Sequence, residues 1–581
     1  MSANKPSHTA TTSENYQDLP VIINGAGLVG CLAALYMAQH HSQRVILIDK
    51  RQDYRSHRYE GRSINLAISH RAFKALGGID KSFIDHFKNE QIGLKMTGRG
   101  LHMKDKVKTA EQQDQFGEGK LGYQPYGTNE NEYIVSVGRH YLNCFLLEEL
   151  EKRFSSRIQV VFEVTPTKLE FRKITDSQNG KEETISILSY KDKSNVSHSV
   201  TGKFIIGCDG LNSFVRQQLQ INPNARFSYS QTYISHAYKE LSIRADPKTK
   251  DFIMRKDCLH IWPRGDFMLI ALPNPTKDFT FTLFMRHLKK KDYGEDEKTA
   301  YGQPSFESVE LGDCKSYDEL TEEKKEQNVR KFFKEQFPDA YDMVKDHLME
   351  DWNSNPTSAL SYIQCNPHHY EGKVVLLGDS AHAIIPFYGQ GVNCGFEDCL
   401  VFSNILKEEQ NKNGWKNDKF SSELLERVFT RYSEERKPSA DAILNLSLHN
   451  FVVMRAKTAD PLFLVEQAIM RFLHRNFPTV HAFKPLYTMV AFTPERTYSD
   501  AWNSHVKREE TIQKLKKFVV SSLTTCTVAA LSVFVYSRLY GKAQPTTTTP
   551  PTTTTLSYVS DLANASMKRL SSLFGYNQAS Q

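Results

Sequence analysis

The sequence predicts an α/β fold in which one nucleotide-binding sheet is assembled from three separated parts of the chain. Three glycine-containing motifs predict it: GAGLVG at residues 25–30, GCDG at residues 207–210, and LLGDSAHA at residues 376–383, closely followed by PFYGQGVN at residues 386–393. A single glycine motif is weak evidence. Three such turns in this order indicate a chain that returns repeatedly to one bound dinucleotide.

The first motif lies in the context that a Rossmann-type βαβ unit requires. Residues 21–23 form a short β-branched run before the glycines, residues 28–39 have the apolar spacing of a buried helix, and residues 44–48 predict a second strand. Asp49 ends that strand, as in the dinucleotide fingerprint. The alternative is a chance glycine-rich turn, but the flanking strands and the placed acid favour the βαβ unit.

Each residue of this motif has a predicted part in cofactor binding. Gly25 permits the tight turn, Gly27 lets a pyrophosphate approach the backbone, and Gly30 lets helix and strand pack closely. The helix that begins at Leu28 turns its unpaired N–H groups and positive end toward the phosphates. Asp49 can accept hydrogen bonds from ribose hydroxyls and disfavours a ribose 2′-phosphate, so the motif indicates FAD or NAD rather than NADP.

Composition indicates a large globular body and argues against several classes of protein. The chain has 581 residues, of which 39% are hydrophobic and 24% charged, which is enough for two or more cores. The net charge of +7 comes without an arginine-rich run interleaved with aromatics, so no nucleic-acid partner is expected. The nine cysteines form no CxxC and no cysteine–histidine cluster, so neither a metal site nor a disulfide framework is predicted.

The remaining pattern predicts the organisation of the chain. Residues 1–18 have no apolar core, which argues against a signal peptide, and are expected to be disordered. A main body is predicted at 19–440, with a helical region at 441–510 that closes the active site. Within the body, the predicted parts are cofactor-binding segments at about 19–120, 195–222 and 360–440, and an inserted antiparallel substrate sheet at about 226–345 with an exposed charged insertion at 287–328.

The C-terminal part has a different composition. Residues 518–536 carry no charge and have lysines before them and basic residues after them. At ~1.5 Å per residue a helix there would span roughly 28 Å, close to the hydrocarbon thickness of about 30 Å. A tail-type membrane anchor is therefore predicted, with the body on the cytosolic side; an amphipathic or buried terminal helix is the alternative. Residues 541–581 are predicted to be a low-complexity tail.

The three motifs in this order resemble the aromatic-hydroxylase group of single-component flavoprotein monooxygenases, and longer strings resemble the kynurenine 3-monooxygenase family within it. Those strings are GRSINLA at 61–67, LHIWPR at 259–264, GFEDC at 395–399 and PLYTM at 485–489. The resemblance runs from about residue 20 to 500. It implies FAD as cofactor, and a body tethered to the mitochondrial outer membrane that faces the cytosol.

The resemblance also implies how the later motifs bind FAD. Asp379 would bond the ribityl and phosphate region, and the turn containing Gly389 and Gly391 would lie against the isoalloxazine, because only glycine lets the backbone approach so closely. Val392 belongs to the same loop. A helix starting near Asn393 would direct its N-terminus at the pyrimidine edge of the ring and stabilise the charge on reduced flavin.

Two further cofactor residues are implied, and one has an alternative interpretation. Arg139 matches a family position near the flavin, and Asp209 of the middle motif would serve the pyrophosphate turn. Asp379 could instead be a helix N-cap, because an Asp before Ser-Ala-His-Ala is a good cap whether or not a ligand is bound.

For the substrate, the resemblance implies an amino acid held by a cation and hydrogen bonds. Arg99 and Tyr126 match the carboxylate clamp of the family, for which a fork-shaped guanidinium is well suited. Asn450 and Tyr487 match contacts from the C-terminal region. By sequence alone, Arg99 could be a surface arginine and Tyr487 a core residue. Residues 103–123 depart from the family, being longer and more polar.

The activity implied is the 3-hydroxylation of L-kynurenine with NADPH and O₂, in the degradation of tryptophan toward NAD. A flavin C4a-hydroperoxide would transfer oxygen to a ring already activated by its amine, so no catalytic side chain is predicted. No second glycine fingerprint is found for NADPH. Two alternatives stay open: a related FAD monooxygenase for another aromatic or lipid substrate, and a membrane-anchored flavoprotein with no substrate.

Overall fold

The computed structural model describes most of the chain. The described residues are 15–56, 65–104, 122–127, 129–287, 316–321, 324–412, 414, 419–455, 461–477, 480, 483–514 and 517. The chain divides into two units, residues 1–508 and residues 509–581. The fold described below is that of the first unit; the described residues of the second are helical.

Nineteen strands are found among the described residues. They are β1 (Val21–Asn24), β2 (Val45–Ile48), β3 (Asn65–Ile68), β4 (Gly93–Met96), β5 (Gly98–Leu101), β6 (Gly122–Pro125), β7 (Ile134–Gly138), β8 (Ile158–Val161), β9 (Thr165–Thr175), β10 (Glu182–Lys191), β11 (Ser197–Gly202), β12 (Ile205–Gly207), β13 (Ser228–Ile243), β14 (Cys258–Arg264), β15 (Phe267–Pro273), β16 (Phe279–Arg286), β17 (Thr357–Asn366), β18 (His369–Tyr370) and β19 (Val374–Leu376).

The same part of the chain contains fourteen named α-helices, and residues 498–514 are also helical. The named helices are α1 (Leu28–His40), α2 (His70–Ile79), α3 (Ser82–Phe87), α4 (Arg139–Phe154), α5 (Phe214–Ile221), α6 (Tyr317–Thr321), α7 (Lys325–Gln336), α8 (Pro338–Val344), α9 (Leu348–Ser354), α10 (Asp379–His382), α11 (Gly391–Lys412), α12 (Ser422–Arg455), α13 (Pro461–Asn476) and α14 (Leu486–Ala491).

The three motifs do converge on one sheet, as the sequence predicts. A six-stranded sheet has the order β18-β19-β12-β1-β2-β8, and all its pairs are parallel except β18 with β19. Each motif follows one of three adjacent strands, β1, β12 or β19. Because these strands are parallel, their carboxyl ends and the turns that follow lie at one edge. All four residues of β1 are buried, as expected of a strand covered on both faces.

A seven-stranded sheet forms the second large sheet of this unit, and its make-up differs from the expectation. Its order is β17-β13-β16-β15-β14-β5-β6, so it includes strands from outside residues 226–345. The pair β5 and β14 is parallel, whereas the prediction was antiparallel throughout. The joining of β5 to β14 fixes the position of Arg99, one of the predicted substrate residues, which lies in β5.

Three predicted boundaries need correction. Tyr16–Asp18 form a 3-10 turn in which Tyr16 is fully buried, so the disorder expected through residue 18 does not extend that far. The end of the charged insertion is helical. Its helix α6 buries Tyr317 and Leu320 in the hydrophobic core formed with strands β13–β16 and helices α7–α9. The boundary at residue 440 falls inside α12, which continues through Pro438.

The predicted anchor at 518–536 and the tail at 541–581 lie outside the described residues, as do residues 1–14 and most of the charged insertion. Within the described part of the chain, no helix is long and apolar enough to cross a membrane.

Candidate active site

A cavity of about 450 Å³ opens at the carboxyl edge of the six-stranded sheet, where the three motifs meet. Ten of the twelve residues predicted to bind the cofactor line it: Gly25, Gly27, Leu28, Asp49, Arg139, Asp209, Asp379, Gly389, Gly391 and Val392. The fold therefore brings together residues that are more than three hundred positions apart in the chain.

The turn after β1 is shaped to admit an anion. Gly25 has φ +108°, and a Cβ there would lie 2.4 Å from the carbonyl oxygen of Cys208, so the first and second motifs touch through glycine alone. Gly27 is the N-cap of α1 and provides no side-chain hydrogen bond to the helix. Among the described residues, no side chain caps the N-terminal N–H groups of this 13-residue helix, which lie at the position where a pyrophosphate binds in such folds.

Gly30 and Asn393 are the two predicted cofactor residues that do not line the cavity. A Cβ on Gly30 would lie 1.8 Å from the carbonyl oxygen of Gly25, so this glycine serves helix–turn packing. The side-chain amide of Asn393 donates at 2.8 Å to the carbonyls of Ala67 and Gly389, and its oxygen accepts from the backbone N–H of Ser69 at 2.8 Å. Asn393 therefore fixes the turn at residues 386–391 (hereafter the flavin turn) from outside the cavity lining.

Asp49 lines the cavity, and its carboxylate is held both by the first glycine motif and by the loop after β2. It accepts a hydrogen bond from the backbone N–H of Ala26 at 2.8 Å and forms an ion pair with Arg51 at 3.0 Å. Arg51 itself lines the cavity, with about half of its side chain exposed, and stacks over Tyr54. Sequence reasoning missed Arg51, although its position two residues after the fingerprint acid could have indicated it.

The acids of the second and third motifs are in contrasting surroundings. One carboxylate oxygen of Asp209 accepts from Asn24 and from two backbone N–H groups at the start of α5, while the other is buried and has no partner among the described residues. Burial raises the pKa of Asp209 above its usual range. Asp379 is exposed to the cavity and makes no hydrogen bond or ion pair within the described part of the chain.

The N-cap interpretation of Asp379 is wrong. Gly378 occupies the cap position of α10, with φ +62°, and no side chain caps that helix. Asp379 is the first helical residue, and its carboxylate remains available to a ligand. Arg139 likewise begins α4 with an exposed side chain that no described residue binds through a hydrogen bond or an ion pair.

Three of the four predicted substrate residues meet beside the flavin turn. The rings of Tyr126 and Tyr487 stack at 4.8 Å, and the Arg99 guanidinium lies 5.6 Å and 5.0 Å from their centroids. On the other side of Tyr487 the ring of Tyr388, from the flavin turn, stacks at 5.5 Å. The sequence did not single out Tyr388, although it directly precedes the glycine turn.

This group contains polar atoms without partners. The Nε of Arg99 and the hydroxyl of Tyr126 are buried and have no hydrogen-bond partner in the described ranges. Burial raises the pKa of Tyr126 well above 10 and that of Tyr487 to about 12, so both hydroxyls keep their protons at neutral pH and can donate. Buried donors without acceptors cost free energy, and an anionic ligand would supply the acceptor.

Asn450, the fourth predicted residue, is placed differently. Its amide donates to the carbonyl of Phe387 at 2.6 Å and to the sulfur of Met454 at 3.2 Å. Asn450 is buried on α12 and holds the turn before Gly389, so its position fits a supporting part as well as a direct contact.

One buried cluster has ligand types that bind metals: His382, Cys394 and Asp398. Arg436 already pairs with Asp398 at 2.7 Å and lies 3.4 Å from the sulfur of Cys394. A metal ion would have to sit beside this buried guanidinium, so the charge balance favours the ion-paired arrangement that the structure shows.

Comparison with known proteins defines the class. Residues 18–447 match the family described as "FAD binding domain". The fold matches the Pseudomonas aeruginosa protein PqsL, solved with 2-aminobenzoylacetate, with a TM-score of 0.53 at 12% identity over 77% of this chain and 99% of that one. The protein is thus a flavoprotein of the FAD-binding monooxygenase fold, and FAD is its cofactor.

Closer relatives identify the family within this class. The chain is 35% identical to kynurenine 3-monooxygenase of Myxococcus xanthus, with 83% of this chain and 87% of the relative covered. The enzyme of Dictyostelium discoideum is 33% identical (86% and 93% covered), and that of Sus scrofa 34% (83% and 85%). The chain belongs to the kynurenine 3-monooxygenase family, as its motifs indicated.

The open space beside Gly391 leads to a prediction. A Cβ there would have no atom within 4 Å, and alanine is preferred over glycine in a helix by up to about 1 kcal/mol. Gly391→Ala should therefore leave the apoprotein as stable or slightly more stable, yet weaken FAD binding about tenfold or more, because the methyl group occupies space that the flavin needs.

Both effects can be measured, by thermal unfolding of the apoprotein and by titration of FAD fluorescence. Gly122→Ala is the matched control, since its Cβ would make an ordinary 3.4 Å contact at an edge strand. An unchanged FAD affinity in Gly391→Ala would show that the flavin does not lie against this turn.

Proposed function

We propose that this protein hydroxylates L-kynurenine to 3-hydroxy-L-kynurenine, with FAD as cofactor and NADPH and O₂ as co-substrates. The observation that carries the proposal is the group formed by Arg99, Tyr126 and Tyr487. Arg99 provides a partly buried guanidinium, and Tyr126 provides a hydroxyl that has no hydrogen-bond partner among the described residues. The ring of Tyr487 connects them to Tyr388 of the flavin turn. This chemistry suits the carboxylate of an amino-acid substrate. Membership of the kynurenine 3-monooxygenase family supports the choice of amino acid.

The residues that line the cavity would hold FAD along its length. The uncapped N-terminus of α1 and the Gly25 turn would take the pyrophosphate, and the available carboxylate of Asp379 would take hydroxyl groups of the ribityl chain. Gly391 leaves space for the ring, and Gly389, with φ +65°, allows the turn that carries it. Bound FAD, reduced by NADPH, would provide the means to activate O₂ for transfer of one oxygen atom, which no side chain of the protein can provide.

The protein's own contribution is orientation and exclusion of water. Arg99 and the protonated tyrosine hydroxyls would fix the head group of the substrate, and the aromatic rings would set the direction in which its aryl ring points. Tyr388 connects this pocket to the flavin turn. Because the aryl amine already activates the ring, no general base is needed, and none is assigned.

Two other functions would leave different signatures. A monooxygenase for a lipid would have no use for a partly buried guanidinium in its substrate site. A flavoprotein without a substrate would reduce its FAD at a rate that ignores small amino acids.

The function is tested by following NADPH oxidation of the purified, detergent-solubilised protein with and without L-kynurenine, while product and peroxide are both quantified. We expect a kynurenine-dependent rise accompanied by an equal amount of 3-hydroxykynurenine. A rise with peroxide alone would mean that kynurenine binds only as an effector, and no rise with FAD present would end the proposal.

Arg99→Ala tests the carboxylate site. A hydrogen bond to a charged group contributes about 1.5–3 kcal/mol, so the KM for L-kynurenine should rise about ten- to hundredfold while FAD stays bound. The control is Arg255→Ala: Arg255 lies 5.0 Å from the ring of Tyr123, but it is paired with Asp257 at 2.8 Å. Equal KM values for Arg99→Ala and wild type would remove Arg99 from the substrate site.

We further propose that residues 518–536 tether the protein to the mitochondrial outer membrane, with the body facing the cytosol. The support is the uncharged run with basic flanks, together with the family resemblance.

Deleting residues 518–581 should move the protein from the membrane pellet to the supernatant after carbonate extraction, without loss of FAD. Deleting only residues 545–581 is the control and should leave it in the pellet. Release of the full-length protein by carbonate would contradict a spanning anchor.

A further inference from the structure

Arg71 is a buried cation outside the cavity lining. It lies in the first turn of α2 and is 1% exposed. Its Nη1 pairs with Glu397 at 2.5 Å, its Nε donates to the carbonyl of Val490 at 2.5 Å, and its Nη2 donates to the carbonyl of Arg496 at 2.7 Å. Weaker contacts reach two more carbonyls of the same segment, those of Met489 and Thr493. One guanidinium thus binds four backbone carbonyls between residues 489 and 496, at the end of α14 and in the turn that follows it.

The segment that Arg71 holds, residues 486–498, also forms one wall of the substrate group. Tyr487 at its start stacks between Tyr126 and Tyr388. Tyr498 at its end lies under the Arg71 guanidinium at 4.0 Å and donates its hydroxyl to the side chain of Gln390 at 2.9 Å. Both ends of the segment therefore contact the flavin turn, and Arg71 lies between them.

The carboxylate that pairs with Arg71, that of Glu397, connects Arg71 to the third motif. Glu397 on α11 also pairs with Arg436 at 2.8 Å, and Arg436 pairs with Asp398. Asp398 accepts the backbone N–H of Gly378 at 2.8 Å, directly before Asp379. Buried charges are tolerated only when paired in good geometry, so each member of this chain fixes the position of the next.

We propose that Arg71 is a positioning residue: it holds residues 486–498 against α11 and the flavin turn, so that Tyr487 and Gln390 keep their places relative to each other. The inference rests on the proposed function, since it gives that reaction a device that sets where the substrate lies relative to the flavin. Arg71 itself does not line the cavity.

The geometry favours this assignment over a role in core packing alone. The contacts of Arg71 are directional and go to backbone carbonyls at the end of α14 and in the turn after it, which a fork of donors can satisfy and a single ammonium cannot. Lys74, one turn later on α2, reaches the same segment from the exposed side, at the carbonyl of Pro494 (3.3 Å) and at Glu495 (3.9 Å). An exposed pair of this kind contributes little, so Lys74 provides the matched control.

The test uses the full-length holoenzyme with Arg71→Lys, Glu397→Gln and the control Lys74→Gln. The Kd for L-kynurenine is measured by the change in flavin absorbance, and the peroxide share of NADPH consumption by product balance. We expect Arg71→Lys and Glu397→Gln to raise the Kd about tenfold or more and to increase the peroxide share, with FAD content unchanged. Lys74→Gln should match the wild type.

Amide hydrogen exchange gives a readout that needs no substrate. In Arg71→Lys, residues 486–498 should exchange about tenfold faster than in wild type, while the six-stranded sheet exchanges as before. Unchanged exchange and Kd in both variants would overturn the proposal, even if the melting temperature fell. Loss of FAD or of folding in both would make Arg71 a general structural residue and would also overturn it. Failure of the wild type to bind L-kynurenine would count against the proposed function and leave the exchange result to decide the role of Arg71.

Discussion

The close approach of three turns at one edge of a parallel sheet is the constraint on which the rest of this protein depends. The turn after β1 touches the turn after β12 at a point where a Cβ on Gly25 would lie 2.4 Å from a carbonyl oxygen. Gly378 meets the same requirement in the third motif, with φ +62° and Val29 against it. Because these contacts exclude side chains, the backbone N–H groups and the few acids present can face a long, anionic cofactor.

A second constraint follows from the proposed function, in which an amino-acid substrate binds beside that cofactor. A carboxylate substrate requires a cation that is oriented without being neutralised. The structure meets this need by surrounding Arg99 with tyrosine rings, which interact with a cation without removing its charge. In contrast, Arg71 and Arg436, the buried cations that hold neighbouring segments in place, are paired directly with carboxylates.

Residues 486–498 connect the proposed substrate site with the flavin turn, so these two sites are not independent. Residues 486–498 contribute to the substrate wall at one end and contact the glutamine of the flavin turn at the other. A chemistry in which oxygen must reach one ring carbon depends on the relative position of two ligands more than on any single side chain. The network of buried ion pairs and hydrogen bonds from Arg71 to Gly378 fixes that relative position within the core.

The sequence by itself determined the class of fold, the cofactor and the residues of the three turns, because those features depend on local backbone geometry and on spacing along the chain. Ten of twelve predicted cofactor residues line the cavity for that reason. Only the tertiary structure placed Asn393 behind the flavin turn, removed Asp379 from the N-cap position and joined β5 to β14. It alone revealed Arg71, whose acceptor at Val490 lies 419 residues away. Such partners are chosen by packing and by the pairing of buried charges, and neither leaves a periodic signal in the sequence.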